Sequence, residues 1–185
     1  MLDLNNPSGD IRELALDCIG TLKPDGAFEI IQPFLVDSDP EVRGTAACNL
    51  GDIGDRRAVK PLLDSARNDP EEDVRSEALS ALEKYWDYDI LKCLIDEVYR
   101  QKKSRRPRQI VAKQLSKYDC KESIDALVYL LEDEDVYVRI FTVDSLFQLN
   151  KPRLRQVWEK VVDDESNYVS QVAVKAIAQL DSTNF

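Results

Sequence analysis

The feature that most constrains this chain is a helical pattern that recurs six times at nearly constant spacing. Each copy has an apolar residue followed by Arg, then apolar or small residues three, seven and ten positions after the Arg. In the second copy, Val42 and Arg43 lead to Ala46, Leu50 and Ile53. The Arg positions of the six copies are 12, 43, 75, 108, 139 and 170, where the last copy has Ser instead. This spacing follows one face of an α-helix, here named helix B.

A second amphipathic segment, helix A, precedes five of the six B helices. Its apolar residues also recur at intervals of three and four, which predicts helices at about 26–37, 57–67, 88–101, 121–132 and 152–163. No segment shows sustained alternation of apolar and polar residues, so strands are not expected. A single short helical hairpin cannot bury its apolar faces alone, and the hairpins must therefore stack.

The sequence thus predicts an all-α protein, a right-handed α-solenoid of about five and a half hairpins and about eleven helices. Residues 1–10 are too short for a full A helix, so the first repeat has only its B helix. We expect a single repeat domain over residues 1–185. Its units are about 1–24, the half repeat, then 25–55, 56–87, 88–118, 119–150 and 151–185.

The motif Asp39-Pro40-Glu41-Val42-Arg43, with Ala46 and Leu50-Gly51-Asp52-Ile53-Gly54 after it, resembles the short HEAT-like repeat of the phycobilisome-lyase type. The resemblance covers about residues 8–180. In such families the Arg pairs with an acid near the turn and forms a ladder between repeats. The resemblance implies the pairs Asp39 with Arg43, Glu71 with Arg75, and Asp135 with Arg139. The fourth unit departs from the pattern, with Ser104 in place of the acid and Pro107 in place of Val.

Residue content argues against an enzyme. The chain has no His, which excludes His-based acid–base catalysis, His-dependent nucleophiles and His-ligated metals. The HEAT-like hydroxylases, which hold metals with His–Glu pairs, are excluded for the same reason. Four scattered cysteines make a poor zinc site. We therefore expect no catalytic residue, no cofactor and no metal.

Net charge and hydropathy limit the classes of partner and the location that we expect for this protein. The formal charge of −10 disfavours nucleic acid and anionic membrane, and a HEAT-like DNA glycosylase would need a basic groove. No apolar run approaches the roughly 18 residues that span a bilayer, and no signal peptide is evident at the start. The expected location is cytoplasmic. The cysteines should then be reduced, with Cys18, Cys48 and Cys93 as small core residues.

A basic segment interrupts the acidic turns between A and B helices. Residues 100–108 contain six cations and no acid: Arg100, Lys102, Lys103, Arg105, Arg106 and Arg108. This segment could dock an acidic protein, a phosphate group or RNA. It could equally be a solvated loop balanced by neighbouring acids. The acidic turns themselves could cap helices or form a surface for a basic partner.

The B helices line the binding face in HEAT-like stacks, which the resemblance extends to this chain. Two, five and nine positions after the Arg, side chains should point to that face. This predicts an apolar strip of Ile110, Phe141 and Val172 beside Lys113 and Lys117. Trp86 is a candidate interface anchor. Tyr85 and Tyr118, ten positions after the Arg, are expected in the core.

Three functions remain open on these grounds. The first is a non-enzymatic scaffold or adaptor that binds an unidentified protein through this face and the turns between A and B helices. The second is an acidic immunity or inhibitor protein against a basic toxin or nuclease. The third is a bilin-lyase-like subunit or chromophore-handling chaperone, which rests on fold resemblance alone. A fragment of a larger regulatory protein would carry the same repeats.

Overall fold

The computed structural model describes residues 3–100 and 105–182. Within these ranges the chain forms eleven α-helices and no strand, which confirms the predicted all-α class. The helices are α1 (Gly9–Leu22), α2 (Ala27–Ile31), α3 (Pro40–Ile53), α4 (Val59–Asn68), α5 (Glu72–Ala81), α6 (Tyr88–Val98), α7 (Arg105–Leu115), α8 (Lys121–Leu130), α9 (Val136–Leu149), α10 (Arg155–Val161) and α11 (Asn167–Ser182). None of these described helices is long and apolar enough to cross a membrane.

The odd-numbered helices are the predicted B helices, and the even-numbered helices are the A helices. Several A helices include a short 3-10 helix, at Gln32–Val36, Arg56–Ala58 and Pro152–Leu154, while α5 continues into another at Leu82–Lys84. The fourth-unit A helix was expected at 88–101 and is observed over 88–98; residue 101 lies outside the described part.

The chain divides into two compact units, Met1–Cys93 and Leu94–Phe185, which we describe separately. In the first unit, α3 packs against both α1 and α5, and α4 packs against α5. In the second unit, α9 packs against both α7 and α11, while α8 and α10 each pack against the B helix that follows. Each unit therefore places its B helices side by side.

The apolar face that defines the repeat forms the core. Val42, Ala46 and Leu50 of α3 have no solvent exposure. The corresponding positions of α9 are also buried, and there Thr142 donates its hydroxyl to the carbonyl of Val138 at 2.7 Å. A hydroxyl can occupy this core position because the preceding turn of the helix accepts its hydrogen bond.

Helix α1 departs from this pattern. Ala15 and Ile19 are buried, but Ile11 and Leu22 are 43 % and 74 % exposed, although both occupy positions of the repeat's apolar face. Residues 3–8 form no helix, so within the described part of the chain no A helix precedes α1 to cover these side chains. These two side chains therefore leave an apolar edge on α1.

Helix starts follow local capping chemistry. The carboxylate of Asp39 accepts a hydrogen bond from the N–H of Glu41, and Pro40 is the first residue of α3. The third B helix, α5, starts at Glu72. The Asp69 carboxylate accepts a hydrogen bond from the N–H of Glu71, just outside this helix.

None of the four cysteines, all of which lie in the described ranges, forms a disulfide. Cys93 is buried and Cys18 is half-buried, but Cys48 is exposed, so the prediction that Cys48 belongs to the core was wrong. Five positions after Arg43, Cys48 lies on the part of the B helix that faces solvent.

Candidate binding surfaces

Near the start of four of the B helices, α1, α3, α7 and α9, an arginine joins neighbouring hairpins. Arg43 donates from Nε and Nη2 to the two carboxylate oxygens of Asp69, at 2.8 and 2.9 Å. Its Nη1 donates to the main-chain carbonyl of Asp37 at 3.0 Å. The same carboxylate pairing joins Arg12 to Asp37, Arg108 to Asp133 and Arg139 to Asp164. Such two-point pairs fix geometry as well as adding charge-assisted hydrogen bonds, so they fix how successive turns align.

The structure shows that the ladder arginines Arg43 and Arg139 pair with other acids than those predicted. The sequence-based assignment paired Asp39 with Arg43, Glu71 with Arg75, and Asp135 with Arg139. For Arg43 and Arg139 the observed acids instead lie in the turn of the following hairpin, well after their arginines in the chain. The carboxylates of Asp39 and Asp135 are used at the starts of their own helices, where they accept N–H groups. Arg75 is buried and donates from Nη1 to two main-chain carbonyls of the preceding turn.

The ion pairs of the ladder shift the pKa values of the residues that form them. A hydrogen bond from Arg12 lowers the pKa of the Asp37 carboxyl, against an opposing effect of burial. The hydrogen bond with Asp69 raises the pKa of the Arg43 guanidinium. The Asp37 carboxylate and the Arg43 guanidinium therefore remain charged over the physiological pH range.

In the second unit, the B-helix face carries part of the predicted apolar strip. Ile110 on α7 and Phe141 on α9 are half-buried, and these helices are neighbours. Val172 on α11 is only 8 % exposed, so it belongs to the core rather than to the surface. Lys113 is exposed and Lys117 is half-buried.

In the first unit, the same face is polar and acidic. Thr45 of α3 donates to the Glu13 carboxylate at 3.1 Å, and Asn49 donates to Asp17 at 3.1 Å. Both bonds join α3 to α1. Although Cys48 is exposed as a residue, partial desolvation of its thiol, then the charges of Asp52, Glu77 and Asp17, raise the pKa of that thiol. Within residues 3–100 and 105–182, no three His, Cys, Asp or Glu side chains group closely enough to hold a metal ion.

A family model for HEAT repeats matches residues 2–83 and 94–182. The chain belongs to the HEAT-repeat family. A comparison with curated proteins gave no match.

Solved structures show the same fold. The complex of CpcE and CpcF of phycocyanin lyase from Nostoc sp. PCC7120 is 22 % identical, with a TM-score of 0.68 over 94 % of this chain and 73 % of that one. A computationally designed armadillo repeat protein for modular peptide recognition is 16 % identical, with a TM-score of 0.69 over 96 % of both chains. A designed armadillo repeat protein in complex with the peptide (KR)4 is 17 % identical, with a TM-score of 0.69 over 95 % of this chain and 96 % of that one. This HEAT-repeat protein is thus an all-helical solenoid.

The basic segment of the HEAT-repeat chain is largely neutralised where it is described. The Arg100 Nε lies 2.5 Å from a carboxylate oxygen of the buried Glu97. Arg108 is 5 % exposed and serves as a ladder arginine, so its assignment as a partner contact was wrong. Arg105 and Arg106 are exposed, and the Nε of Arg105 is 3.8 Å from Asp135. Lys102 and Lys103 lie outside the described residues.

Aromatic side chains divide as expected between core and surface. Tyr85 and Tyr118 are 8 % and 9 % exposed, which confirms their predicted core positions, and the Tyr85 hydroxyl donates to the carbonyl of Asp55 at 3.1 Å. Trp86 is 62 % exposed.

Sequence reasoning missed a second aromatic feature, the paired rings of Tyr99 and Tyr129 in the second unit. The two tyrosines are separated in the chain by almost one repeat length, which is the signal that would have indicated their proximity.

Proposed function

We propose that this protein is a non-enzymatic scaffold that binds a protein partner through the exposed face of its B helices and the adjoining turns. The observation that carries the proposal is the pair of half-exposed apolar side chains, Ile110 and Phe141, on the neighbouring helices α7 and α9. An exposed cation, Lys113, lies on the same helix as Ile110. Aromatic residues surrounded by polar groups are typical of interface centres.

The fold supports this function. Stacked repeats create long surfaces that are suited to binding other chains. Two of the similar designed proteins are described as recognising or binding peptides. We infer by analogy that the present B-helix face also takes a peptide segment or a protein surface.

The test compares two substitutions that introduce the same charge. Phe141→Glu places a carboxylate in the proposed contact, whereas Val174→Glu changes a 55 % exposed side chain of α11 outside the face defined above. Proteins retained from an extract of the native cells would be quantified for wild type and both variants. We expect Phe141→Glu to weaken retention of the specific partner by about tenfold or more. Unchanged retention on a folded Phe141→Glu variant contradicts the proposed face.

A second function is favoured by the acidic face of the first unit. Asp17 and Asp52 are exposed there, and the whole chain has a net charge of −10. Both features suit inhibition of a basic toxin or nuclease by electrostatic complementarity. Purified basic nucleases and toxins of the same genome would be assayed with the protein present. Stoichiometric inhibition that Asp17→Lys reduces would support this role, and full activity of every such enzyme would contradict it.

A bilin-lyase-like role has one observation behind it, the similarity in fold to the phycocyanin lyase complex. At 22 % identity, that similarity concerns the fold alone. Mixing the protein with a bilin and an apo-phycobiliprotein and recording the visible absorbance tests it directly. An unchanged spectrum would refute the role.

A further inference from the structure

The second unit contains a crevice of about 320 Å³ beside the turn that follows α8. Its lining includes Tyr99, Tyr129 and several charged side chains. The crevice is separate from the B-helix face, since Tyr99 follows α6 and Tyr129 belongs to α8, both A helices.

The two tyrosines form an open aromatic corner. Their ring centroids are 5.0 Å apart and the rings are tilted by 54°. Tyr99 is 51 % exposed and Tyr129 is 56 % exposed, so both rings remain accessible to a ligand. The face of an aromatic ring attracts cations, and a cation within about 6 Å of the ring centre gains from this attraction.

The two arginines of the crevice are already neutralised by acids of the same unit. Arg100 is 2.5 Å from Glu97, and Arg108 is 2.7 Å from Asp133. Each guanidinium is therefore balanced in charge by one carboxylate, although the buried Nη1 of Arg108 has no hydrogen-bond acceptor among the described residues.

One carboxylate that lines the crevice, that of Glu132, takes no part in these ion pairs. Glu132 is exposed, and its carboxylate makes no ion pair or hydrogen bond with another residue of the described part of the chain. Next to two open rings, an unpaired carboxylate favours a cationic ligand. A guanidinium or ammonium group can contact an aromatic face and a carboxylate at the same time.

We propose that Tyr99, Tyr129 and Glu132 form a subsite for an Arg or Lys side chain of a basic protein segment. The inference rests on the proposed scaffold function and names the chemistry of one contact with the partner. The net charge of −10 adds long-range attraction for such a segment.

The next repeat offers a matched control. Asp163 occupies the position that corresponds to Glu132, in the turn after α10, and is also exposed. Lys160 stands in that repeat at the position that corresponds to Tyr129. The repeat with Asp163 therefore has a cation at the position where the crevice has an aromatic ring. Asp163→Asn and Glu132→Gln each remove one negative charge, so they differ mainly in their surroundings.

The experiment measures fluorescence anisotropy of a labelled octapeptide of alternating Lys and Arg, titrated with the whole protein. A labelled octapeptide of alternating Glu and Asp serves as the comparison probe. We expect Tyr129→Leu and Glu132→Gln each to weaken binding of the basic peptide by about twofold to fivefold. The double variant should lose about tenfold, and Asp163→Asn less than about twofold.

Equal weakening by Glu132→Gln and Asp163→Asn would overturn the subsite, because it would show attraction by net charge alone. Binding of the acidic peptide in preference, or no binding of the basic peptide, would overturn it too. Thermal melts verify that the variants are folded; both tyrosines are half exposed, so little core is lost. Partner retention by Phe141→Glu tests the scaffold function on a separate surface, so the two failures can be told apart.

Discussion

Two glycines of α3 allow a sharp test of how closely the B helices pack. A Cβ added to Gly51 would lie 2.7 Å from the Cβ and 2.8 Å from the Cα of Ala81, on the neighbouring helix α5. Real Cβ atoms do not approach so closely, and the obstacle includes backbone, which no side-chain rotation can move. A Cβ added to Gly44 would meet only the Cγ of Glu77, at 3.8 Å, an ordinary contact.

The substitutions Gly51→Ala and Gly44→Ala should therefore have opposite effects. Alanine favours a helix over glycine by about 1 kcal/mol, and this gain is common to both sites. Gly44→Ala should raise the free energy of unfolding by about 0.5–1 kcal/mol. Gly51→Ala adds an overpacking cost of about 1–3 kcal/mol, which offsets or exceeds the gain. The difference between the variants isolates the contact of α3 with α5.

Urea unfolding followed by helical circular dichroism measures this difference. With an m-value of about 2 kcal/mol/M, the Gly51→Ala midpoint should lie about 0.5–1.5 M below the Gly44→Ala midpoint. A Gly51→Ala midpoint equal to or above that of Gly44→Ala would refute the close approach of the two helices.

Three further predictions concern charged groups and a thiol. Asp69→Asn should lower the free energy of unfolding, measured in urea, by about 2–4 kcal/mol, because it leaves the largely buried guanidinium of Arg43 without its carboxylate. The control Asp64→Asn, at an exposed position, should lower it by under about 0.5 kcal/mol. The lowered pKa of Asp37 stabilises the fold above about pH 3.9, and this contribution is lost as the pH falls through the lower pKa of the folded state. When the free energy of unfolding is measured against pH, Asp37→Asn should reduce its slope in this acidic range. The rate of Cys48 alkylation, followed by mass spectrometry, should have its pH midpoint above the ordinary thiol value of about 8.5. Asp52→Asn should lower that midpoint without restoring it fully, because partial desolvation of the thiol is the larger cause of its raised pKa. An unchanged midpoint in Asp52→Asn would exclude that carboxylate as a contributor.

Periodicity was sufficient to predict the helices, since helical spacing and burial have a common cause. The residues that lie before, three after and seven after Arg43 are fully buried, as that spacing requires. Periodicity within one helix could not predict which of its apolar residues are covered. Leu22 has a core position in the pattern, yet it is exposed, because burial depends on a neighbouring helix that the pattern of α1 alone does not reveal.

The ladder acids show a different limit. An acid shortly before an arginine and an acid in the turn of the following hairpin are equally plausible partners in sequence. The choice depends on the reach of the guanidinium across the gap between hairpins, and on which carboxylates the free N–H groups at helix starts already occupy. Asp39 is taken by the start of α3, so Arg43 pairs with Asp69.

Formal charge is also a poor guide to the charge that a partner meets. The basic segment at residues 100–108 has six cations, and counting them predicts an anion-binding surface. Two of them, Arg100 and Arg108, are bound to acids of their own unit, one of which is the buried Glu97. On the proposal above, an exposed carboxylate such as Glu132, which has no such partner among residues 3–100 and 105–182, then sets the sign of the crevice beside them. A cluster of arginines can therefore lie next to a site for a cation, provided that the fold has already satisfied the arginines.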